Sequence, residues 1–204
     1  MAHYGKADYW DERYSREDEP FEWYQSFSGI AHLMNPYLQS AQKVLVAGCG
    51  NSKLSEELQT QNQTEMVANI DISGVVIKSM IKKYKDTREL TWEVMDVMKM
   101  SFPAGAFNAI VDKGTLDTLL CSDDAETNAE ACLMEYSRVL QPGGVALILS
   151  YGNYESRKQY LEVPAYGWEL QAVKTVGKPS VRLELAEEKS SGEDVHFLYV
   201  LVKK

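Results

Sequence analysis

Val44-Leu45-Val46-Ala47-Gly48-Cys49-Gly50-Asn51-Ser52 is the stretch on which the reading of this 204-residue chain turns. Four apolar residues in a row are expected to form a strand buried on both faces, as inside a parallel sheet. Gly48 and Gly50 then let the backbone turn sharply and approach a ligand where a Cβ would stand in the way. Asn51 or Ser52 is placed to cap a helix over residues 53–60, whose free N–H groups would point back at the same ligand. A dinucleotide fingerprint wants a third glycine three residues after the second, and Lys53 occupies that position.

Downstream, the sequence alternates strand and helix. Strands are expected at 66–70, 91–95, 107–112 and 145–150. Between them the pattern predicts a helix capped by Ser73 and running to about Lys85, a short one over 115–120, and a longer one from Asp123 or Ala125 to Leu140. Gln141-Pro142-Gly143-Gly144 stops the last of these. Such alternation predicts an α/β domain with a parallel sheet and helices on both faces. After residue 150 the pattern changes. Residues 168–176, 181–185 and 195–202 are strand-like and separated by short turns, which implies an antiparallel edge. One domain over 1–204 is expected, divided into an N-terminal segment (1–40), a core (41–150) and C-terminal strands (151–204).

In an open α/β sheet, ligands sit beyond the carboxyl ends of the strands. After the first strand stands the glycine turn, and after the second Asp71-Ile72, about 20 residues on, where a carboxylate suits ribose hydroxyls. After the third stand Asp96-Val97, a carboxylate and an N–H suited to an adenine edge. After the fourth come Asp112-Lys113-Gly114-Thr115, and after the fifth Ser150-Tyr151. A lone aspartate at a strand end is commonly a helix cap, whereas three at successive ends behind a glycine turn point to a ligand. With the third glycine missing, S-adenosylmethionine displaces a nicotinamide dinucleotide as the expected ligand.

Residues 1–40 are rich in aromatic side chains. Tyr9-Trp10-Asp11-Glu12-Arg13-Tyr14 is expected to be a short helix, and a second helix is expected from about Ser28 to Leu38. Phe21-Glu22-Trp23-Tyr24 lies between them. These rings can pack a sheet edge singly; as a set they suit a lid over a partly wet ligand site.

Composition narrows the class further. The chain is 45% hydrophobic and 25% charged, ordinary for a globular protein. No apolar run approaches the ~20 residues of a membrane span, and the first residues carry no signal-peptide core. Cys49, Cys121 and Cys132 lack metal-like spacing and suit a reducing compartment, most simply the cytoplasm. A net charge of −9 argues against nucleic acid and fits either plain solubility or a basic protein partner. No metal and no membrane partner are expected, and a monomer is favoured.

The strings Tyr9-Trp10-Asp11-Glu12-Arg13-Tyr14, Phe21-Glu22-Trp23-Tyr24, Val44–Ser52, Asn69-Ile70-Asp71-Ile72-Ser73 and Asp112-Lys113-Gly114-Thr115-Leu116-Asp117 resemble the class I, seven-β-strand S-adenosylmethionine-dependent methyltransferases. Within that class they are most similar to the methyltransferase-like lysine methyltransferases of eukaryotic elongation factor 1A. The resemblance spans most of residues 8–150 and implies a Rossmann-like, seven-stranded, mostly parallel sheet. It also implies that Gly48, Cys49, Gly50 and Asn51 hold the methionine half of the cofactor. Asp71 and Ile72 would hold the ribose, and Asp96 and Val97 the adenine. Trp10, Tyr14 and Trp23 would close over the ligand, and Lys113 would line the site. An amine acceptor must lose a proton before attack, and Asp112, Asp117 and Tyr151 are the candidates to take it. His3, His32 and His196 are expected to be structural.

The expected activity is therefore methyl transfer from S-adenosylmethionine to a lysine amine of a protein, elongation factor 1A being the first candidate, with S-adenosylhomocysteine as product. The alternatives are a small-molecule N- or O-methyltransferase of the same fold, a non-catalytic S-adenosylmethionine-binding module and, last, an NAD-dependent oxidoreductase.

Overall fold

The computed structural model describes residues 5–16, 19–177 and 195–204. The expected strand over 181–185 and the charged turn over 187–194 lie outside them. Seven strands form one sheet: β1 (Lys43–Ala47), β2 (Met66–Asp71), β3 (Leu90–Val94), β4 (Phe107–Lys113), β5 (Leu140–Ser150), β6 (Trp168–Gly177) and β7 (Val195–Lys203). Their order is β3-β2-β1-β4-β5-β7-β6. The first five run parallel; β7 pairs antiparallel with β5, and β6 antiparallel with β7. The expected antiparallel edge is present, with the last strand inserted inside it.

The helices among the described residues are α1 (Ala7–Arg16), α2 (Phe27–Leu38), α3 (Leu54–Asn62), α4 (Gly74–Lys83), α5 (Thr115–Leu119), α6 (Ala125–Val139) and α7 (Tyr154–Leu161). They divide between the two faces of the sheet because strand side chains alternate. Val44 and Val46 join a core with Ile30 and Met34 of α2, Leu58 of α3 and Met80 of α4. Leu45 and Ala47, their immediate neighbours, join the opposite core with Leu116 of α5, Leu133 and Tyr136 of α6 and Leu161 of α7. A strand feeding two cores has to be apolar at every position, which is why β1 reads as a continuous run.

Two elements differ from expectation. Helix α7 falls in Tyr-Glu-Ser-Arg-Lys-Gln-Tyr-Leu, where only Leu161 is buried, so no apolar stripe announces it. Its start is fixed by Asn153, whose side chain accepts from the Ser156 N–H at 3.0 Å. Strand β5 starts at Leu140, five residues early, because Leu140 already pairs with Phe107 before the register shifts. At the other end of the chain, α2 starts one residue before the expected Ser28, with Ser26 as its cap accepting from the Gly29 N–H at 3.4 Å.

The chain leaves β1 towards β2 and β3, then returns to the other side of β1 as β4. Connections therefore diverge beyond the carboxyl ends of β1 and β4 and leave a crevice there. Single bonds continue the ladder past the strand ends and fix the crevice floor. Cys49 N–H donates to Ile70 O at 3.0 Å, Met95 N–H to Asp71 O at 2.9 Å, and Gly114 N–H to Leu149 O at 3.1 Å.

Candidate active site

The crevice holds a cavity of about 900 Å³, counting its open mouth. Strand ends build its floor. Gly48, Cys49 and Gly50 come from the turn after β1, Asp71 and Ile72 from β2, Asp96 and Val97 from the segment after β3, and Lys113 from β4. Trp10 and Tyr14 of α1 and Trp23 of the following strap close it from the other side. Eleven of the twelve residues expected at the ligand thus line one cavity. Asn51 does not: its Oδ1 accepts from the Phe21 N–H at 3.0 Å and its Nδ2 donates to Glu19 O at 2.8 Å. Nor does it cap α3. That helix starts at Leu54, and Ser52 Oγ accepts from the Leu54 N–H at 3.0 Å.

Both turn glycines have left-handed backbones, φ +64° at Gly48 and +53° at Gly50. A Cβ at 48 would lie 2.0 Å from Thr115 Oγ1, and one at 50 would lie 2.7 Å from the Tyr14 hydroxyl. The crowding atoms belong to the protein itself, so glycine is required there by conformation and by two neighbours as well as by any ligand.

Asp71 is buried at the cavity wall. Its Oδ2 accepts from the Gly50 N–H and its Oδ1 from the Ser73 N–H, each at 2.9 Å. Burial, with Asp11 nearby, pushes its carboxyl above the usual range, opposed by these N–H donors. Asp96 accepts from the Met98 N–H at 2.8 Å through Oδ1. Asp71 and Asp96 are the carboxylates lining the cavity among the described residues.

The N-terminal cover is held by its polar members. Asp11 accepts from Ser73 Oγ at 2.5 Å and from the Val75 N–H at 3.1 Å, so α1 caps the start of α4. That places Trp10 and Tyr14 stacked over the glycine turn, ring centroids 5.9 Å apart. The Arg13 guanidinium lies 5.8, 4.9 and 5.1 Å from the rings of Trp10, Phe21 and Trp23. Glu22 fastens the strap: its Oε1 accepts from the Lys53 N–H at 2.8 Å and its Oε2 from Ser52 Oγ at 2.7 Å. Glu22 also pairs with Lys113 Nζ at 3.1 Å, and Lys113 Nζ donates to Trp23 O at 3.0 Å. Burial pulls the Lys113 ammonium below its ordinary range, with Glu22 opposing. Sequence reasoning missed Asp11, Glu22 and Tyr24 as site-building residues; the available signal was an acid set inside each aromatic string.

None of the three expected proton acceptors lines the cavity. Asp112 is wholly buried and accepts from the Thr115 N–H at 2.8 Å, the Leu116 N–H at 3.0 Å and the Tyr136 hydroxyl at 2.9 Å. That is the bonding of a helix-capping carboxylate, and burial raises its pKa to about 7. Asp117, on α5, is buried and takes four donors. They are the Tyr24 hydroxyl at 2.6 Å, Ser150 Oγ at 2.5 Å, the Tyr151 N–H at 2.8 Å and Arg157 Nη2 at 2.9 Å. Tyr151 stands outside the cavity with 61% of its surface exposed. His32 lies in α2 and His196 in β7, away from the lining.

The strand order, the glycine turn and the carboxylates at successive strand ends define a class, the methyltransferases of this sheet topology. A family model described as a methyltransferase domain matches residues 45–148, and the chain belongs to that family. It is 35% identical over 178 residues to the Bos taurus protein named EEF1A lysine methyltransferase 4, covering 82% of this chain and 69% of that one. It is 40% identical over 152 residues to the Homo sapiens eEF1A lysine and N-terminal methyltransferase, covering 72% of this chain but 22% of that longer protein. Among solved structures, the N-methyltransferase NodS of Bradyrhizobium japonicum, in complex with S-adenosyl-L-homocysteine, aligns with a TM-score of 0.67 at 14% identity, over 100% of this chain and 99% of that one. A TehB-like S-adenosylmethionine-dependent methyltransferase of Corynebacterium glutamicum aligns at 0.60 and 22% identity, over 99% and 98%. These structural likenesses concern the fold. No helix among the described residues is long and apolar enough to cross a membrane.

Proposed function

We propose that this methyltransferase uses S-adenosylmethionine to methylate a lysine side-chain amine of a protein, elongation factor 1A being the first candidate. One observation carries the reading. The glycine turn, Asp71, Asp96 and the aromatic cover meet in a single cavity, in a chain whose relatives are named for lysine methylation of eEF1A.

The donor set fits the cofactor. Gly48, Cys49 and Gly50 would hold the methionine half with backbone groups, Asp71 with Ile72 the ribose, and Asp96 with Val97 the adenine. Trp10, Tyr14 and Trp23 would close over the ligand, and a ring face meeting its sulfonium would add an attraction of ~0.5–2 kcal/mol. Lys113 lines the site and fixes the strap. Asn51 acts through the strap. When bound, the cofactor supplies a methyl group already activated by a sulfonium.

What remains for the chain is placement and a neutral amine. An unperturbed lysine has a pKa of ~10.4, and an apolar, aromatic-walled approach lowers it by desolvation. The released proton leaves through the open mouth, since Asp112 and Asp117 already hold three and four donors. We assign both a positioning role, and Tyr151 a place on the acceptor's approach. The net charge of −9 suits a basic partner surface, and three free cysteines suit the reducing cytoplasm.

The test is incubation of purified protein and tritiated-methyl cofactor with protein extract, with purified elongation factor 1A and with a panel of small amines and phenols. Label on lysine of elongation factor 1A is the expected result. Label confined to metabolites would make this a small-molecule N- or O-methyltransferase, and no label anywhere, with cofactor bound, would leave a binding module.

A further inference from the structure

A line of aromatic rings leaves the cavity and reaches the surface. Trp10 and Trp23, both lining the cavity, lie 6.3 Å apart between centroids. Trp23 is followed by Tyr24 at 6.3 Å, Tyr24 by His196 at 4.4 Å, and His196 by the exposed Tyr151 at 6.1 Å. The five rings come from α1, the strap, β7 and the end of β5, so only the folded sheet brings them together.

Its middle member is held under strain. Tyr24 has φ +63°, a left-handed backbone that costs a non-glycine residue free energy and survives where surrounding bonds over-determine it. The bond from its hydroxyl to Asp117, at 2.6 Å, supplies that constraint. Arg157 and Ser150 hold Asp117 from the far side. The strained backbone lays the Tyr24 ring on Gly114, a cavity-lining residue where an added Cβ would lie 3.2 Å from Cε2. The first ring outside the cavity thus packs directly against a residue of its wall.

We propose that this track is the acceptor's approach, a site for one lysine side chain of a protein, with Tyr24 and Tyr151 as its walls and Asp117 as the residue that positions Tyr24. It rests on the reading that the acceptor is a lysine. A four-carbon stem needs an apolar wall to lie along, and its amine, arriving charged, gains from ring faces what it loses in hydration. Arg157, ion-paired to the Asp117 that holds Tyr24, is neutralised there and does not repel it. The chain's charge of −9 favours the approach of a cationic side chain over an anionic one.

The experiment uses the whole chain saturated with S-adenosylhomocysteine. Butylammonium, the amine and stem of lysine, is titrated against neutral 1-butanol and followed by NMR shifts of the Tyr151 and His196 rings. Butylammonium should bind several-fold tighter than butanol, and Tyr151→Ala should weaken it about threefold to tenfold while Tyr151→Phe keeps parental affinity. Asp117→Asn should weaken it too, with Tyr24→Phe reproducing that loss. In a second arm, with elongation factor 1A as acceptor, Tyr151→Ala should raise the acceptor KM by a similar factor and leave S-adenosylhomocysteine affinity at the parental value. Equal binding of amine and alcohol, or a KM untouched by Tyr151→Ala, overturns the track. Ring-dependent butylammonium binding without methylation of elongation factor 1A supports the track and rejects only that protein as acceptor.

Discussion

The two rims of the cavity are built by opposite means. On the β1–β2–β3 side, the groups are backbone amides and carboxylates delivered by strand ends. The bond that organises it, Gly50 N–H to Asp71, joins residues 21 apart, one strand–helix–strand unit. On the other side, rings and charged side chains meet across the chain. Lys113 reaches the Trp23 carbonyl over 90 residues, and Tyr24 reaches Asp117 over 93. The first rim is placed by topology once the sheet forms. The second exists only after α1 and the strap dock, each through an acid that ties aromatic neighbours to a helix start: Asp11 at α4 and Glu22 at α3. One rim should therefore govern whether the cofactor binds, and the other how firmly the site is covered.

The largest expected effect falls on the first rim. Asp71→Asn keeps the shape and removes the charge, so if the carboxylate holds the ribose as proposed, its bonds to the hydroxyls, worth ~1.5–3 kcal/mol each to a charged group, weaken. S-adenosylhomocysteine affinity, measured by calorimetry, should fall about tenfold to a hundredfold. A folded variant with parental affinity would remove Asp71 from the cofactor site and leave it as the tie between Gly50 and Ser73.

Next comes the second rim. Glu22→Gln leaves the Lys113 ammonium buried without its counter-charge, at a cost of ~1–3 kcal/mol that falls on the strap rather than on the sheet. Cofactor affinity should drop less than for Asp71→Asn, with tryptophan fluorescence altered by the loosened Trp23. If Glu22→Gln costs as much as Asp71→Asn, the division between a binding rim and a covering rim collapses.

Asp112 lies beneath both rims, paired with Ala47 of β1. Burial is the leading cause that lifts its carboxyl to about 7 from the ordinary 3.8. Between those values the folded carboxyl keeps a proton that the unfolded one has released, so this group makes stability fall as pH rises, by up to ~1.4 kcal/mol per unit. Asp112→Asn removes that slope. The difference in melting temperature between variant and parent should therefore move in the variant's favour from pH 4 to pH 7 and level off above. A difference independent of pH would mean that Asp112 ionises normally in the fold.

The first rim was legible in sequence because its logic is local. An apolar run, two glycines and an acid at the next strand end each announce themselves within a few residues, and the sheet order follows from alternation. The aromatic cover was legible as a list of rings but not as an assembly, since nothing in Phe21-Glu22-Trp23-Tyr24 says that Glu22 will find Ser52, Lys53 and Lys113. The aspartate at the end of β4 misled for a related reason. Position beyond a strand end is shared by ligand-facing and capping carboxylates, and Asp112 turns inward to the Thr115 and Leu116 amides while Asp71 turns to the cavity. Helix α7 escaped because one buried leucine makes no period.

The smallest expected effect separates charge from shape within the cover itself. Arg13 lies within 6 Å of three rings, and the planar guanidinium stacks where a lysine ammonium cannot. Arg13→Lys keeps the charge and loses the plane. If the cover is cemented by stacking, the variant should bind S-adenosylhomocysteine about twofold to fivefold more weakly, in keeping with a loss of ~0.5–1 kcal/mol. Its melting temperature should stay near the parent's, because α1 remains fastened through Asp11. Arg13→Met, which keeps much of the stem without charge or plane, should be weaker again. Parental affinity in both variants would mean that Asp11 and Glu22 alone hold the rings in place, and that the second rim, like the first, is fixed by its hydrogen bonds to helix starts.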